Sequence, residues 1–258
     1  MNTFSTHLRE GVLTGLMNRP RVHNALDSEL RAALAGFWDR VREDDEVKVA
    51  VIAGVPGSSF SSGRDMKETA EAYQQAQTGP DWELGGRTGY PVDTPPGKPV
   101  IAAIDGYCMG AGLKMAAECD LRIAATSAIF GSPQAKVGRA TESPLYLRRI
   151  GVPAAVALDM VFTGRRLDAQ EALHYGLVSR VVGPNSLLDE AYAMASIIAA
   201  FSPTVVAGLK RGLDSGLGDL PSAVASPLWK SVTAMYGDTP DARKGAEAFV
   251  NRPRGQED

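Results

Sequence analysis

A glycine-rich segment between two apolar runs is the feature that most constrains what this chain can fold into. The segment covers residues 104–124 and reads IDGYCMGAGLKMAAECDLRIA. Before it, residues 99–104 form an apolar run whose length and β-branched content are typical of a buried strand. After the glycines, apolar residues recur at helical spacing, and residues 121–125 form a second strand-like run. The pattern predicts a strand, a glycine turn, a buried helix and a second strand.

The three glycines of that turn, Gly106, Gly110 and Gly112, have two possible roles. Glycines ahead of a helix let the backbone approach a ligand closely, because no Cβ stands in the way. The first turn of the helix also carries N–H groups without an internal acceptor and the positive end of the dipole, which together can hold an oxyanion. The other role is tight packing alone, and these residues by themselves leave both open.

The segment resembles the central signature of the crotonase (enoyl-CoA hydratase/isomerase) superfamily, and three further blocks agree with it. Residues 60–67, FSSGRDMK, resemble the F-S-x-G-x-D-[LM]-K segment of that family. Residues 17–26, MNRPRVHNAL, resemble its N-R-P…N-A-L segment, and residues 245–252, GAEAFVNR, its C-terminal A-F-x-x-[KR]. The four blocks occur in the family's order and extend over nearly the whole chain.

The resemblance implies an α/β fold: a crotonase-like spiral of ββα units with a helical C-terminal trimerisation region. We expect residues 1–200 to form the spiral core that binds acyl-CoA. Residues 201–258 are expected to form a helical region for oligomerisation and for covering the CoA site. A homotrimer or hexamer is the implied assembly. No obvious sequence repeat shows the spiral independently.

The same resemblance implies acyl-CoA thioester substrates, with no cofactor beyond the CoA of the substrate. The two backbone N–H donors of the oxyanion hole map to Arg64 and Ala111. Contacts to CoA map to seven further residues: Arg21, Val22, Ser62, Asp65, Lys67, Phe249 and Arg252. Phe249 and Arg252 fall where a neighbouring subunit's tail covers the CoA in that family. Arg21, Lys67 and Arg252 are also sensible phosphate partners by charge.

The acid–base residues depart from the hydratase pattern. Hydratases of the family carry two glutamates, and the matching residues here are Lys114 and Gln134. Neither side chain is a carboxylate, and hydration needs one group to activate water and another to deliver a proton. Glu142 offers a carboxylate where some relatives, such as dienoyl-CoA isomerases, place an acidic residue. We therefore expect weak hydration, with Glu142 as the acid–base group.

Several alternatives to this assignment stay open. Lys114 either pairs with Glu142 or is itself the ionisable group, since a buried lysine loses its charge readily. Glu118, Asp120 and His174 are other candidates, although the two acidic residues fit a structural role near a helix end. At the level of the whole chain, the choice lies between an acyl-CoA enzyme with altered acid–base residues and a catalytically silent acyl-CoA binder or interaction subunit.

Composition excludes other classes of function. The net charge is −3 and no basic stripe occurs, which argues against nucleic-acid binding. No window approaches the roughly 18 apolar residues of a membrane span, and the N-terminus has no signal-peptide core, so we expect a cytoplasmic protein without membrane contact. Two cysteines form no disulfide framework, and the three histidines have no ligand spacing, so no metal site is expected.

The remaining pattern predicts alternating strands and helices, followed by a helical last third. An N-cap at Asp27 and an apolar face predict a helix over 28–42. Strands are predicted at 12–17, 47–53, 128–131 and 177–182. Further helices are predicted at 65–77, 142–150, 153–162, 168–174, 187–201, 202–213, 221–235 and 239–250. The segment 78–99 lacks regular signals, which is typical of a flexible lid over a pocket or of a long connection.

Overall fold

The computed structural model describes residues 2–69, 89–91, 95–137, 141 and 143–216. The chain divides into two compact units, Met1–Ala199 and Ala200–Asp258. Among the described residues, no single helix is long and apolar enough to cross a membrane. One consecutive pair, Pro184–Ala199 and Pro203–Leu213, reaches that length and composition only when the two are counted together.

The first unit is built on two sheets whose strands are short. The strands are β1 (Phe4–Arg9), β2 (Val12–Met17), β3 (Val49–Gly54), β4 (Val100–Ile104), β5 (Tyr107–Met109), β6 (Leu121–Ala125), β7 (Ile129–Gly131), β8 (Arg166–Asp168) and β9 (Arg180–Val182). One sheet has the order β1-β2-β3-β4-β6-β9, antiparallel at β1–β2 and parallel elsewhere. The smaller sheet has the order β5-β7-β8. Its first strand, β5, follows β4 in the sequence after two residues and leads to Gly110 and the next helix.

Helices are present in both units. They are α1 (Ser28–Glu43), α2 (Ala111–Glu118), α3 (Ser143–Arg149), α4 (Ala154–Phe162), α5 (Ala169–His174), α6 (Leu187–Ala199) and, in the second unit, α7 (Pro203–Gly216). The helix α1 begins where the Asp27 side chain accepts a hydrogen bond from the Leu30 N–H at 2.9 Å. Its buried stripe includes Leu30, Leu34 and Trp38, as the helical period requires.

The strand β4 is buried on both faces, which explains its uninterrupted apolar sequence. On one face, Ala102 and Ile104 belong to the cluster that contains α1 and α2. On the other face, Ile101 and Ala103 pack with the apolar side of α6. Because both faces are covered, β4 holds the start of the glycine turn in a rigid position at the end of the sheet.

Most predicted elements that fall on the described residues are confirmed, and two of the three missed strands have only three residues. The strand over 12–17 and the α1 helix agree with the structure to within a residue. The strands β1, β5 and β8 were not predicted, and β5 lies inside the segment interpreted as a glycine turn. Three-residue strands such as β5 and β8 are too short to show a period of their own. The helices predicted at 221–235 and 239–250, and most of 65–77 and 78–99, lie outside the described residues.

The C-terminal region's roles in oligomerisation and in covering the CoA site stay predictions. So does the spiral core's extent over residues 1–200. In the described part of the second unit, residues 200–216, α7 begins at Pro203, and the carbonyl of Ser202 accepts the Val206 N–H at 3.1 Å.

Candidate active site

The predicted donor Arg64 belongs to residues 59–65, called the oxyanion loop below, which run beside β5. Ser61 forms an isolated parallel bridge with Cys108. The Ser61 N–H donates to the Tyr107 carbonyl at 2.8 Å, and the Met109 N–H donates to the Ser61 carbonyl at 2.9 Å. Two segments that are far apart in the sequence are therefore joined backbone to backbone just before α2 begins.

Gly63 lies close to the backbone that leads into α2. Its φ is +96°, a conformation that side chains rarely adopt. A Cβ on Gly63 would stand 2.8 Å from the Met109 oxygen and 3.3 Å from the Ala111 nitrogen. The next residue, Arg64, therefore lies on a segment in direct contact with Ala111, so the two predicted donors belong to touching pieces of backbone.

The first turn of α2 presents its N–H groups without a side-chain cap. Gly110 is the N-cap residue, with φ 51° and ψ −111°, and it supplies no side-chain cap to the first turn. Ala111 is the first helical residue, so its N–H has no acceptor within the helix. Gly110 itself is held by a 2.8 Å hydrogen bond from its N–H to the Gly131 carbonyl. This geometry suits a backbone donor aimed at an anionic oxygen.

A largely buried arginine anchors the loop from behind. The Arg19 guanidinium lies 2.8 Å from the Asp27 carboxylate and 3.1 Å from the Asp65 carboxylate. It also donates to the Ala25 carbonyl. All three charged side chains are at most 19% exposed, so this contact is shielded from water. Arg19 thus ties the residue after Arg64 to the start of α1.

Asn24 and Ser61 hold the other side of the loop. Asn24 is fully buried, and its Nδ2 donates to the Ser59 carbonyl at 2.6 Å. The Ser61 hydroxyl donates to the Asn24 carbonyl at 2.8 Å and accepts from the Gly63 N–H at 3.1 Å. The Leu26 N–H then donates to the Gly63 carbonyl at 2.8 Å. The backbone before Arg64 is therefore fixed by hydrogen bonds on both sides.

Gln134 lies at the start of α2. A Cβ on Gly110 would stand 3.4 Å from the Gln134 Nε2. The Gln134 Oε1 accepts from the Ser132 hydroxyl at 2.7 Å, and its Nε2 donates to the Thr141 Oγ1 at 3.1 Å. Thr141 also lies 2.8 Å from the Ser143 hydroxyl. Gln134 therefore lies beside the glycine turn, in a hydrogen-bond network of uncharged groups.

Lys114 occupies an aromatic environment that sequence reasoning missed. Its Nζ lies 4.8 Å from the ring centre of Tyr90 and 5.2 Å from that of Tyr146. The Glu118 Oε1 is 4.0 Å from the Nζ, and the Glu118 side chain is only 3% exposed. The ring faces attract the ammonium by cation–π interaction, and the carboxylate lies at ion-pair distance from it. The four-residue spacing of Lys114 and Glu118 on a helix was the available signal for their contact.

Tyr90 connects Lys114 with the oxyanion loop. Burial raises the pKa of its hydroxyl, although the charges of Arg64 and Lys114 and a hydrogen bond with the Arg64 side chain work in the opposite direction. The neighbouring carbonyl of Gly89 accepts a 2.8 Å hydrogen bond from the Trp38 indole. Tyr90 is thus anchored through α1 while contacting both donor-bearing segments.

The other predicted residues divide into three groups. Arg21, Val22 and Lys67 are exposed, as a binding surface requires, and the Ser62 hydroxyl donates to the Val22 carbonyl at 3.1 Å. Asp120 accepts the Val100 N–H at 2.7 Å, and His174 packs edge to face on Tyr175, which are structural contacts. A third group lies outside the described residues: Glu142, Phe249 and Arg252. The alternative pairing of Lys114 with Glu142 therefore stays a prediction, whereas a contact with Glu118 is seen.

Metal ligands are the remaining question at this site. Within the described ranges, no group of three or more His, Cys, Asp and Glu side chains is placed to hold an ion. The expectation that the protein has no metal site stays a prediction.

Comparison with known proteins identifies the family. The family model for enoyl-CoA hydratase/isomerase matches residues 7–256. The chain belongs to the enoyl-CoA hydratase/isomerase family. It is 39% identical over 241 residues to (E)-benzylidenesuccinyl-CoA hydratase of Thauera aromatica, covering 92% of this chain and 91% of the relative. It is 37% identical over 255 residues to carnitinyl-CoA dehydratase of Proteus mirabilis, covering 96% of each.

Solved structures of the family agree with the fold. An enoyl-CoA hydratase from Mycobacterium tuberculosis superposes with a TM-score of 0.87 at 31% identity, covering 98% of both chains. An enoyl-CoA hydratase subunit from Geobacillus kaustophilus gives a TM-score of 0.86 at 26% identity, again with 98% coverage of each. The crotonase-type α/β fold expected from the motifs is thereby confirmed. The chain is an enzyme of this family, whose members act on acyl-CoA thioesters.

Proposed function

We propose that this enzyme binds an acyl-CoA thioester and stabilises its enolate with the backbone N–H groups of Arg64 and Ala111. The observation that carries the proposal is the approach of Gly63 to the Ala111 nitrogen, which brings the two donor segments into contact. An enolate concentrates negative charge on the thioester oxygen, so two fixed donors lower the barrier to its formation by several kcal/mol. Backbone donors do not depend on side-chain identity, so the arginine at position 64 is compatible with this role.

Recognition of CoA is assigned to the exposed surface next to the loop. Arg21, Val22 and Lys67 are exposed there, and two of them are cations suited to phosphate. Ser62 and Asp65 are less exposed members of the proposed CoA site, and Asp65 is held by Arg19. Phe249 and Arg252 complete the proposed site from a neighbouring subunit, which requires a trimer or a hexamer. Light scattering at working concentration tests this part, and a monomeric mass would contradict it.

The proposed chemistry is movement of a proton between carbons rather than addition of water. With Lys114 and Gln134 at the glutamate positions, water lacks the paired acid and base that hydration needs. A single carboxylate, Glu142, removes a proton from the carbon next to the thioester. The enolate is then protonated again at the same carbon or at its vinylogous position. No co-reactant is consumed, and the proton returned is the one removed or one exchanged with solvent.

The test measures binding and turnover separately. Isothermal calorimetry with acetyl-, butyryl- and octanoyl-CoA reports binding, and the same protein is assayed for crotonyl-CoA hydration, double-bond shift, solvent deuterium exchange and thioester hydrolysis. We expect binding of at least one thioester and exchange or isomerisation faster than hydration. Binding without turnover of any kind would favour the catalytically silent binder. Absence of heat with every thioester would refute the proposed function.

A further inference from the structure

Lys114 and Gln134 border the same end of α2. The Gln134 Nε2 lies beside Gly110, where an added Cβ would be 3.4 Å away. The Lys114 N–H donates to the Gly110 carbonyl at 3.0 Å, which places Lys114 one helical turn after the same residue. The Lys114 Nζ lies 4.8 Å from the ring centre of Tyr90, which also bonds the Arg64 side chain, so Lys114 borders the segment of the other proposed donor. Both side chains therefore belong to the neighbourhood of the proposed enolate oxygen.

The helix α3 contacts Lys114 directly and Gln134 through Thr141. At its first residue, Ser143 bonds Thr141, which in turn accepts from the Gln134 amide. One turn further on, the ring of Tyr146 lies 5.2 Å from the Lys114 Nζ. Residues three apart share a helix face, so one face of α3 contacts the amide network and the ammonium together. The two donors are consequently parts of one site between α2 and α3.

Both groups offer hydrogen-bond donors, and the lysine adds a positive charge. An ammonium carries three donors, and the Lys114 side chain is 18% exposed, so it is not sealed from the site. Glu118 stands at 4.0 Å, the outer limit of an ion pair, and the Arg64 guanidinium adds a second cation around the same tyrosine, Tyr90. A donor-rich, cationic lining recognises an anionic oxygen substituent and disfavours a purely hydrocarbon chain.

We infer that the acyl group accepted here carries a carboxylate of its own, received by the Lys114 ammonium with the Gln134 amide as a second donor. The substrate class is then a dicarboxylic acid esterified to CoA at one end. This inference rests on the proposed thioester site, and it makes Lys114 a specificity-determining residue rather than an acid or a base.

The experiment compares two thioesters with the same number of acyl carbons: succinyl-CoA, which ends in a carboxylate, and butyryl-CoA, which ends in a methyl group. Dissociation constants are measured by calorimetry for the wild-type protein and for Lys114→Met, Lys114→Gln and Lys114→Arg. Lys98→Met is the control, because the Lys98 Nζ donates to the Asp44 carbonyl and the substitution removes the same charge elsewhere. Circular dichroism establishes that each variant is folded.

We expect wild-type protein and Lys98→Met to prefer succinyl-CoA about 10- to 100-fold, the range of a charge-assisted contact. Lys114→Met and Lys114→Gln should lose the preference for succinyl-CoA, while their affinity for butyryl-CoA changes less than about twofold. Lys114→Arg should keep most of the preference for succinyl-CoA. Equal wild-type affinity for the two thioesters overturns the inference and leaves the proposed function standing. A preference that survives in a folded Lys114→Gln also overturns it. If wild type binds neither of these two thioesters, the inference is overturned, and the proposed function fails as well only if acetyl- and octanoyl-CoA also give no heat.

Discussion

The backbone of Gly63 rests against the first turn of α2, so close that a Cβ on Gly63 would lie 3.3 Å from the nitrogen of Ala111. The same Cβ would lie 2.8 Å from the Met109 carbonyl oxygen, closer than real Cβ atoms come to other heavy atoms. Two features therefore require glycine at position 63: the lack of space for a Cβ and a φ of +96°. The distance between the two proposed donors therefore depends on one residue without a side chain.

Gly63→Ala should reduce turnover on the preferred thioester by about 10²–10³-fold, the cost of losing one oxyanion donor. The added methyl pushes the Arg64 segment away from Ala111. Gly57→Ala is the matched control: its φ is +77°, but a Cβ there meets nothing within 4 Å. The control should lose only about 1–2 kcal/mol of stability and keep its turnover. Steady-state kinetics and urea unfolding of both variants provide the check, and equal turnover in the two would count against the placement of the donors.

Arg19→Met should lower the free energy of unfolding by about 2–4 kcal/mol, because it leaves two poorly hydrated carboxylates without their shared partner. Those carboxylates belong to Asp27 and Asp65, both at most 19% exposed. Arg40→Met serves as the control. Arg40 contacts Asp44 at 3.2 Å with a side chain 41% exposed, so its loss should cost under about 1 kcal/mol. Chemical denaturation measures both, and similar losses would show that the Arg19 contacts contribute little.

Lowering the pH should reduce the stability of the protein, because it protonates the Asp65 carboxylate of the oxyanion loop. Burial raises the pKa of this carboxyl, but hydrogen bonds from the Glu68 N–H, the Arg19 side chain and the Lys67 N–H outweigh burial, so its pKa is lowered overall. A lowered folded-state pKa means that the stabilisation is present above roughly pH 4 and is lost as the pH falls through the folded-state value. Asp65→Asn should therefore be less stable than wild type at pH 7 and approach it at pH 3. A constant difference across urea titrations at these pH values would contradict the assignment.

Glu142→Gln should remove most turnover, by roughly 10²–10⁴-fold, while acyl-CoA affinity stays within about twofold. The amide keeps the shape of the side chain and cannot accept the proton. Solvent deuterium exchange at the carbon next to the thioester is the direct readout, because it follows proton removal whether or not the double bond moves. Undiminished exchange in Glu142→Gln would assign the base to another group.

Placing glutamate at both hydratase positions should create hydration of crotonyl-CoA where wild type shows little. Glutamate at position 134 has the size of the present glutamine and can accept from the Ser132 and Thr141 hydroxyls that now bond the amide. Glutamate at position 114 instead faces the Glu118 carboxylate, so the paired substitution Lys114→Glu with Glu118→Gln avoids two buried like charges. The loss of enoyl-thioester absorbance measures the gain. No gain in a folded variant would show that other contacts also prevent hydration.

The sequence by itself determined the elements whose signals are local. Asp27 predicted the start of α1, and the apolar period predicted its buried face, because capping and helical spacing act within a few residues. The glycine turn before α2 was also predicted, since a conformation with positive φ at Gly110 depends on the absence of its own Cβ. The family followed from four motifs read in order, and the family model and the solved structures confirm it.

Only the tertiary structure decided which distant residues share the site. Arg19 contacts Asp65 across 46 positions, and nothing in either residue's local sequence selects the other. Tyr90 and Tyr146 reach Lys114 from different segments, so the environment of that lysine depends on how α2, α3 and residues 89–91 pack. The three-residue strand β5 likewise exists because β7 and Ser61 provide hydrogen-bond partners for it. Such contacts come from burial and backbone pairing over long separations, which short-range periodicity does not record.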